Sequence, residues 1–308
     1  MFDFLRTQFD LEEESEIKLS DRTYKIKTSK GTYIVKEVPD DTLNRLYTRL
    51  LLIRNSAFQI PSRGRNGLFV QEEKDKFYIL SPFLKDEALL GYDLRIAFYL
   101  RSLAELHSAT FISLTASDHY LESTLNYLDA QIKRVSDAIE ARQEVVERSD
   151  YHSPNDWYFM MHFHSFQEAL ETASRHVLNL ENAVKEQKGL RLCLTYQNFD
   201  FQHILLKQEK IVSLEKMGYN FASYDLFDFI SKVKITSMNL TPFIEEYLKI
   251  NELRDYEKEY LMEMLYLLPY HRLESQKEDL AHLIGLSEYL EKVNALESEV
   301  IFSSPSSE

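Results

Sequence analysis

Residues 194–217, LTYQNFDFQHILLKQEKIVSLEKM, set out four features in order: an apolar run, a polar loop, a short hairpin and an acidic residue. HILLK (203–207) and KIVSLEK (210–216) form the hairpin, joined at Gln208 and Glu209. Asn198 sits in the loop five residues before His203, and Glu215 ends the second arm.

N-terminal to this stretch the chain changes character once. The first 84 residues read as a short helix followed by strands: EIKLS (16–20), TYKIKTS (23–29) and GTYIVKEV (31–38) alternate polar and apolar side chains. Gly31 supplies the permissive backbone of a hairpin turn. DTLNRLYTRLLLIRNSA (41–57) has helical periodicity, and GLFVQEE (67–73) and KFYILSPFL (76–84) are two more strands. Beyond Pro82 the pattern is helical: 92–110, about 121–148 and 155–187, then 224–234, 242–250, 254–268 and 272–295. Ser153 is read as an N-cap with Pro154 at the first helical position, and Thr241 as the cap of the helix at 242. Little further strand is expected outside the opening stretch, and SSPSSE is read as a frayed tail. The expected class is therefore α+β, with a strand-rich lobe over 1–84, a helical lobe over 85–300 that carries the loop, and a disordered tail over 301–308.

Composition narrows the function. Of 308 residues, 44% are hydrophobic, which supports a packed interior. Fifty acidic against 36 basic residues give a net charge of −14, which argues against nucleic acid as a partner. A single cysteine, Cys193, rules out an intrachain disulfide and a cysteine-based zinc site. No apolar run approaches the ~18 residues of a membrane span, so no membrane insertion is expected. The N-terminal segment has no signal-peptide pattern, and synthesis in the cytoplasm is expected.

Four segments in order, TYKIKTSKGTYIVKEV, YILSPFL, LAELHSAT and the 194–217 stretch continuing to ASYDLFDFI, resemble the aminoglycoside phosphotransferase and choline kinase superfamily. Within it the chain is most similar to the CotS-like spore coat proteins of endospore-forming bacteria. The resemblance spans most of the chain and implies a bilobal protein kinase-like fold. It places Lys36 on the strand-three lysine that holds nucleotide phosphates. Tyr196, Gln197 and Asn198 fall on a His-Gly-Asp triplet, with Asn198 at the catalytic base. His203 and Glu215 fall on the two metal-binding positions. Asp225 aligns with an aspartate that braces the loop, and His107 ends the Leu-His helix.

The residue types depart from what the reaction needs. Phosphoryl transfer uses a carboxylate to take the acceptor proton and oxygen ligands to hold Mg²⁺ against the phosphates. The amide of Asn198 is no base near neutral pH, and a general base contributes about 10²–10⁴-fold in rate. Imidazole at 203 is a poor match for a hard ion. Glu215 keeps its carboxylate, one methylene further out. The helix after Lys36 has no acidic residue over 42–57 to pair with it, leaving Asp40 and Asp41 as the acids just before it. The first strand turn, LSDRT, lacks glycine.

Other polar residues have plain structural readings. Asp200 is either a displaced base or a turn cap. His162 and His164, two apart on a helix, do not face each other. His107 is read as a core or interlobe hydrogen-bonding residue, Cys193 as buried and inert, and Trp157 with its aromatic neighbours as helix packing or, for an exposed subset, as a docking face. Two functions follow. The leading one is a kinase-fold pseudoenzyme that acts by binding, with no cofactor, and through the resemblance with spore coat or other proteins as partners. The alternative is an active small-molecule phosphotransferase using ATP and Mg²⁺, with Lys36 on the phosphates, Glu215 on the metal and Asp200 as base. Nucleotide binding without transfer lies between them.

Overall fold

Strand alternation in the N-terminal residues decides how the sheet packs. In the computed structural model the described residues are 2–53, 56–85, 91–115, 117–187, 189–233 and 238–302. Packing divides the chain into two compact units, residues 1–110 with 194–219 and residues 111–193 with 220–308. The sequence division after residue 84 follows composition. Division by packing instead groups the 203–216 hairpin with the N-terminal sheet.

In the first unit, helix α1 (Asp3–Phe9) leads into strands β1 (Glu13–Ser20), β2 (Thr23–Thr28) and β3 (Gly31–Val38). Helix α2 (Leu43–Ile53), strands β4 (Val70–Glu73) and β5 (Lys76–Pro82) and helix α3 (Tyr92–Thr110) follow. The strands form one antiparallel sheet in the order β1-β2-β3-β5-β4. Gly31 turns β2 into β3 at φ 141°, a value that side chains rarely adopt. Ile26, Val35 and Leu80 share one face and bury against Phe4 and Leu5 of α1. Each such side chain contributes roughly 1.5–3 kcal/mol when fully buried. The register puts Thr23, Lys36 and Ile79 side by side on the opposite face, with Ile34 beside Ser81. Asn44 of α2 accepts the N–H groups of Phe69 and Val70 at 2.8 and 3.0 Å, which fixes the approach to β4.

The hairpin is shorter than its sequence suggests. Only Ile204–Leu205 and Lys210–Ile211 pair; Leu206–Gln208 makes a 3₁₀ turn, and Glu209 turns the chain at φ 51°. Buried Arg95 of α3 anchors its first arm, donating to the carbonyls of Phe201 and Ile204 at 2.9 and 2.8 Å.

In the second unit, strand β6 (Ile112–Leu114) pairs with the first part of β7 (Leu190–Thr195). Neither strand was expected: the three residues of β6 are too few to display a period of two, and the six of β7 run directly into the loop stretch. Helices α4 (Asp118–Glu147) and α5 (Pro154–Glu186) lie between them in the chain. Ser153 and Asp156 close a full capping box, with Pro154 at the start of α5. Helices α6 (Ala222–Lys232), α7 (Thr241–Ile250), α8 (Asp255–Tyr266) and α9 (Gln276–Leu296) complete the unit. Thr241 is the first helical residue rather than a cap, and Asn239 Oδ1 accepts its N–H at 2.9 Å. Arg142 grips Asp279 with two hydrogen bonds of 2.7 and 3.1 Å, and Asn155 adds a third at 3.0 Å, tying α4, α5 and α9 together. Residues 297–301 continue as a π-helical turn with Ile301 buried, so 301 belongs to the folded unit. The remainder of the expected tail, 303–308, lies outside the described residues. Among the described residues no helix is long and apolar enough to cross a membrane.

Glu263 of α8 is fully buried, and neither of its oxygens has a hydrogen-bond partner among the described residues. Burial, with the Asp129 charge adding to it, pushes its carboxyl from 4.5 up to about 8. Between those values the unfolded carboxyl is ionised while the folded one keeps its proton, so the unfolded state binds fewer protons and stability falls as pH rises through the window. Glu263→Gln is expected to match the parent protein near pH 5 and to melt above it at pH 8. Urea titrations at the two pH values measure this, and equal shifts at both would contradict it.

Candidate functional site

Lys36 projects from β3 on the sheet face opposite α1, and its ammonium donates to Glu215 Oε1. Glu215 lies in the 3₁₀ turn Leu214–Lys216 that follows the hairpin. The two side chains are only 25% and 15% exposed. The sequence left Lys36 without a helix partner and gave Glu215 to a metal; folding joins them across 179 residues. The acid-free α2 was the available signal that a partner had to come from elsewhere. Asp40, an acid near enough in sequence, instead accepts the Thr42 N–H at 2.9 Å.

The loop hydrogen bonds to itself and to the hairpin. Tyr196 is fully buried, and its hydroxyl donates to the Val212 carbonyl at 2.6 Å. His203 Nδ1 lies 3.1 Å from the Tyr196 hydroxyl oxygen and 3.0 Å from the Asn198 carbonyl. With the phenol proton directed to Val212, both are acceptors, which assigns a proton to Nδ1. Asn198 is buried, and its Nδ2 donates to the Ser213 carbonyl at 3.0 Å. Gln197 and Ser213 both hold left-handed backbone, φ 57° and 63°. Gln197 Nε2 donates to Thr195 Oγ1 at 2.7 Å, and that hydroxyl donates to the Gly218 carbonyl at 2.9 Å. Asp200 is exposed and caps the 201–203 turn, accepting the Gln202 N–H at 2.8 Å.

This donor set does not suit Mg²⁺. One Glu215 oxygen is held by an ammonium, the Asn198 amide nitrogen is directed at a carbonyl, and His203 offers imidazole where a hard ion takes oxygen. Among the described residues no three His, Cys, Asp or Glu side chains group as metal ligands. His162 bonds through Nδ1 to the Tyr158 carbonyl and stacks on the Tyr158 ring, with centroids 4.2 Å apart. His107 is buried at the end of α3. Asp225 belongs to the second unit, fully buried in the first turn of α6. There burial, with the Asp225 charge adding to it, drives the Cys193 thiol far above its usual range, leaving it protonated.

A cavity of about 260 Å³ opens beside the ion pair, walled by Ile34, Ile79, Phe83, Leu205 and Leu214 and reaching Tyr47 of α2. Its rim runs along YILSPFL, where polar backbone groups are already engaged. Pro82 has no N–H, its carbonyl accepts Gln59 Nε2 at 2.8 Å, and the Phe83 N–H donates to the Thr32 carbonyl at 2.9 Å. Tyr47 and Gln59 went unnoticed in the sequence, since an amphipathic helix and a loop give no local sign of lining a cavity.

No protein-family model matches the sequence, and no curated protein matches it. Solved structures do. An aminoglycoside phosphotransferase from Alicyclobacillus acidocaldarius subsp. acidocaldarius DSM 446 aligns at a TM-score of 0.63 and 12% identity, over 92% of this chain and 90% of that one. The AMP-bound complex of a spectinomycin phosphotransferase aligns at 0.55 and 14%, over 96% and 97%. The fold is that of the aminoglycoside phosphotransferases. It is the kinase-like α+β architecture, with an antiparallel N-terminal sheet and a large helical C-terminal part. At these identities the likeness carries the fold and not the reaction.

The ion pair yields a measurable coupling. Lys36→Met and Glu215→Gln are each expected to destabilise the protein by roughly 1–3 kcal/mol, between the values for exposed and buried pairs. The double variant is expected to lose clearly less than the sum. A double-mutant cycle by urea denaturation measures it, and additive losses would contradict the pairing.

Proposed function

We propose that this protein is a kinase-fold pseudoenzyme that works by binding and not by phosphoryl transfer. The observation that carries the reading is the ion pair between Lys36 and Glu215. Phosphate binding needs a lysine whose charge faces the ligand, and metal binding needs a carboxylate whose charge faces the cation. Here each charge faces the other. The loop supports the same reading: Asn198 bridges to Ser213, and Asp200 caps a turn. The alternative, an active small-molecule phosphotransferase, would have to separate the pair and recruit both aspartate and metal anew.

The biological setting follows the sequence resemblance to spore coat proteins. In this reading the protein is made in the cytoplasm, joins the spore coat, and docks there on other coat proteins. A fluorescent fusion expressed in the host is expected to gather around the developing spore; uniform cytoplasmic signal through sporulation would remove that part of the reading.

The catalytic question is tested with purified protein. A ligand at 100 times its Kd stabilises its target by about 2.7 kcal/mol. Neither Mg-ATP nor Mn-ATP is expected to raise the melting temperature, and neither the parent protein nor Asn198→Asp is expected to hydrolyse or transfer phosphate. Metal-dependent ATP turnover that disappears in Lys36→Ala would overturn the proposal.

A further inference from the structure

We propose that the cavity beside the Lys36–Glu215 pair binds a small uncharged molecule, an apolar ring or chain that carries a carboxamide- or lactam-type head. This inference rests on the pseudoenzyme reading, in which the pair stays closed, and names the ligand class of that site.

Three observations specify the ligand. The first is size. About 260 Å³ lies just below the usual range of ligand pockets, roughly 300–1,000 Å³, which suits a single-ring molecule and not a nucleoside triphosphate. The second is charge. Lys36 and Glu215 cancel within the site, so a charged ligand would lose its hydration shell without meeting a net counter-charge. An anion drawn to Lys36 meets Glu215, and a cation drawn to Glu215 meets Lys36. An uncharged head avoids both penalties.

The third is a pair of polar atoms that the protein leaves open. Tyr47 is 0% exposed, lines the cavity, and its hydroxyl has no hydrogen-bond partner among the described residues. Glu215 Oε2 is likewise buried and unpartnered, while Oε1 takes Lys36. A buried polar group left unsatisfied is destabilising, so two of them on residues that line one cavity favour a ligand that meets both. Burial, with the Glu215 charge adding to it, holds the Tyr47 phenol in its protonated form. Tyr47 is therefore available as a donor and Glu215 Oε2 as an acceptor. A head group with C=O beside N–H answers the two together. The body of the ligand then lies against Ile34, Ile79 and Leu214. Two backbone groups of the rim, the Pro82 carbonyl and the Phe83 N–H, are already bonded within the protein.

The test uses benzamide as the probe, with benzoate and benzylamine as its anionic and cationic counterparts. Binding is read by ligand-observed NMR titration on the full chain. Benzamide is expected to saturate, and to bind at least ten-fold more tightly than either charged analogue. Tyr47→Phe removes one orphaned hydroxyl and nothing else, so it is expected to fold with unchanged or higher stability while weakening benzamide by roughly 3–10-fold. Non-saturating benzamide, equal affinity in parent and Tyr47→Phe, or tighter binding of benzoate would each overturn the inference. Mg-ATP in the same titration separates the two proposals. Silence toward both probes removes this one alone, whereas saturable Mg-ATP binding with turnover removes both.

Discussion

The contact between Lys36 and Glu215 joins distant parts of the first unit. It ties the central strand of the sheet to the turn after the hairpin, two places 179 residues apart in the chain. Because both side chains are largely shielded, water screens the pair less than it would on an open surface, and each charge needs the other. Removing one leaves an ammonium or a carboxylate in a poorly hydrated place. The same contact fixes what the site can attract. A lysine neutralised by a carboxylate draws phosphate weakly, and a carboxylate neutralised by a lysine draws a divalent cation weakly. One contact thus sets both the packing of the turn and the charge the site presents.

Side-chain hydrogen bonds hold the loop in shape. The resemblance sets Gln197 on the glycine of a His-Gly-Asp triplet. The backbone there is left-handed, at φ 57°, the region that glycine occupies freely and that costs other residues about 1–2 kcal/mol. The Gln197 amide offsets part of that cost through its bond to Thr195. On either side, Tyr196 reaches Val212 and Asn198 reaches Ser213, so the loop is laced to the second arm of the hairpin. His203 joins Tyr196 to the Asn198 carbonyl. Each of these side chains acts as a hydrogen-bonding strut.

Much of the fold was legible because its signals are local. Alternation marked β2, β3 and β5, periodicity gave α3 over 92–110, and Ser153 with Pro154 announced α5. Aromatic and aliphatic spacing suffices for such elements. What escaped was short or long-range. The three-residue β6 has no period to read. Thr241 followed by proline imitates a cap, yet Asn239 two residues earlier does that work. In the site, Lys36, Glu215, Asn198 and His203 were all singled out from the sequence, but their partners were not. A side chain's partner across the fold is set by register and packing, which no window of sequence contains.

The struts also set what a carboxylate at 198 would meet. Asn198 donates its amide N–H to a carbonyl oxygen of Ser213, a residue itself held at φ 63° two positions before Glu215. A carboxylate at 198 would set oxygen against oxygen, losing the bond and adding repulsion in a buried place. The backbone that presents Glu215 to Lys36 would lose its support in the same step. A carboxylate base at 198 fits only if Ser213 turns its carbonyl away, and that requires the turn carrying Glu215 to be rebuilt. The loop and the ion pair are stable together as a bonded unit, and the geometry that favours this unit is the one that disfavours the base.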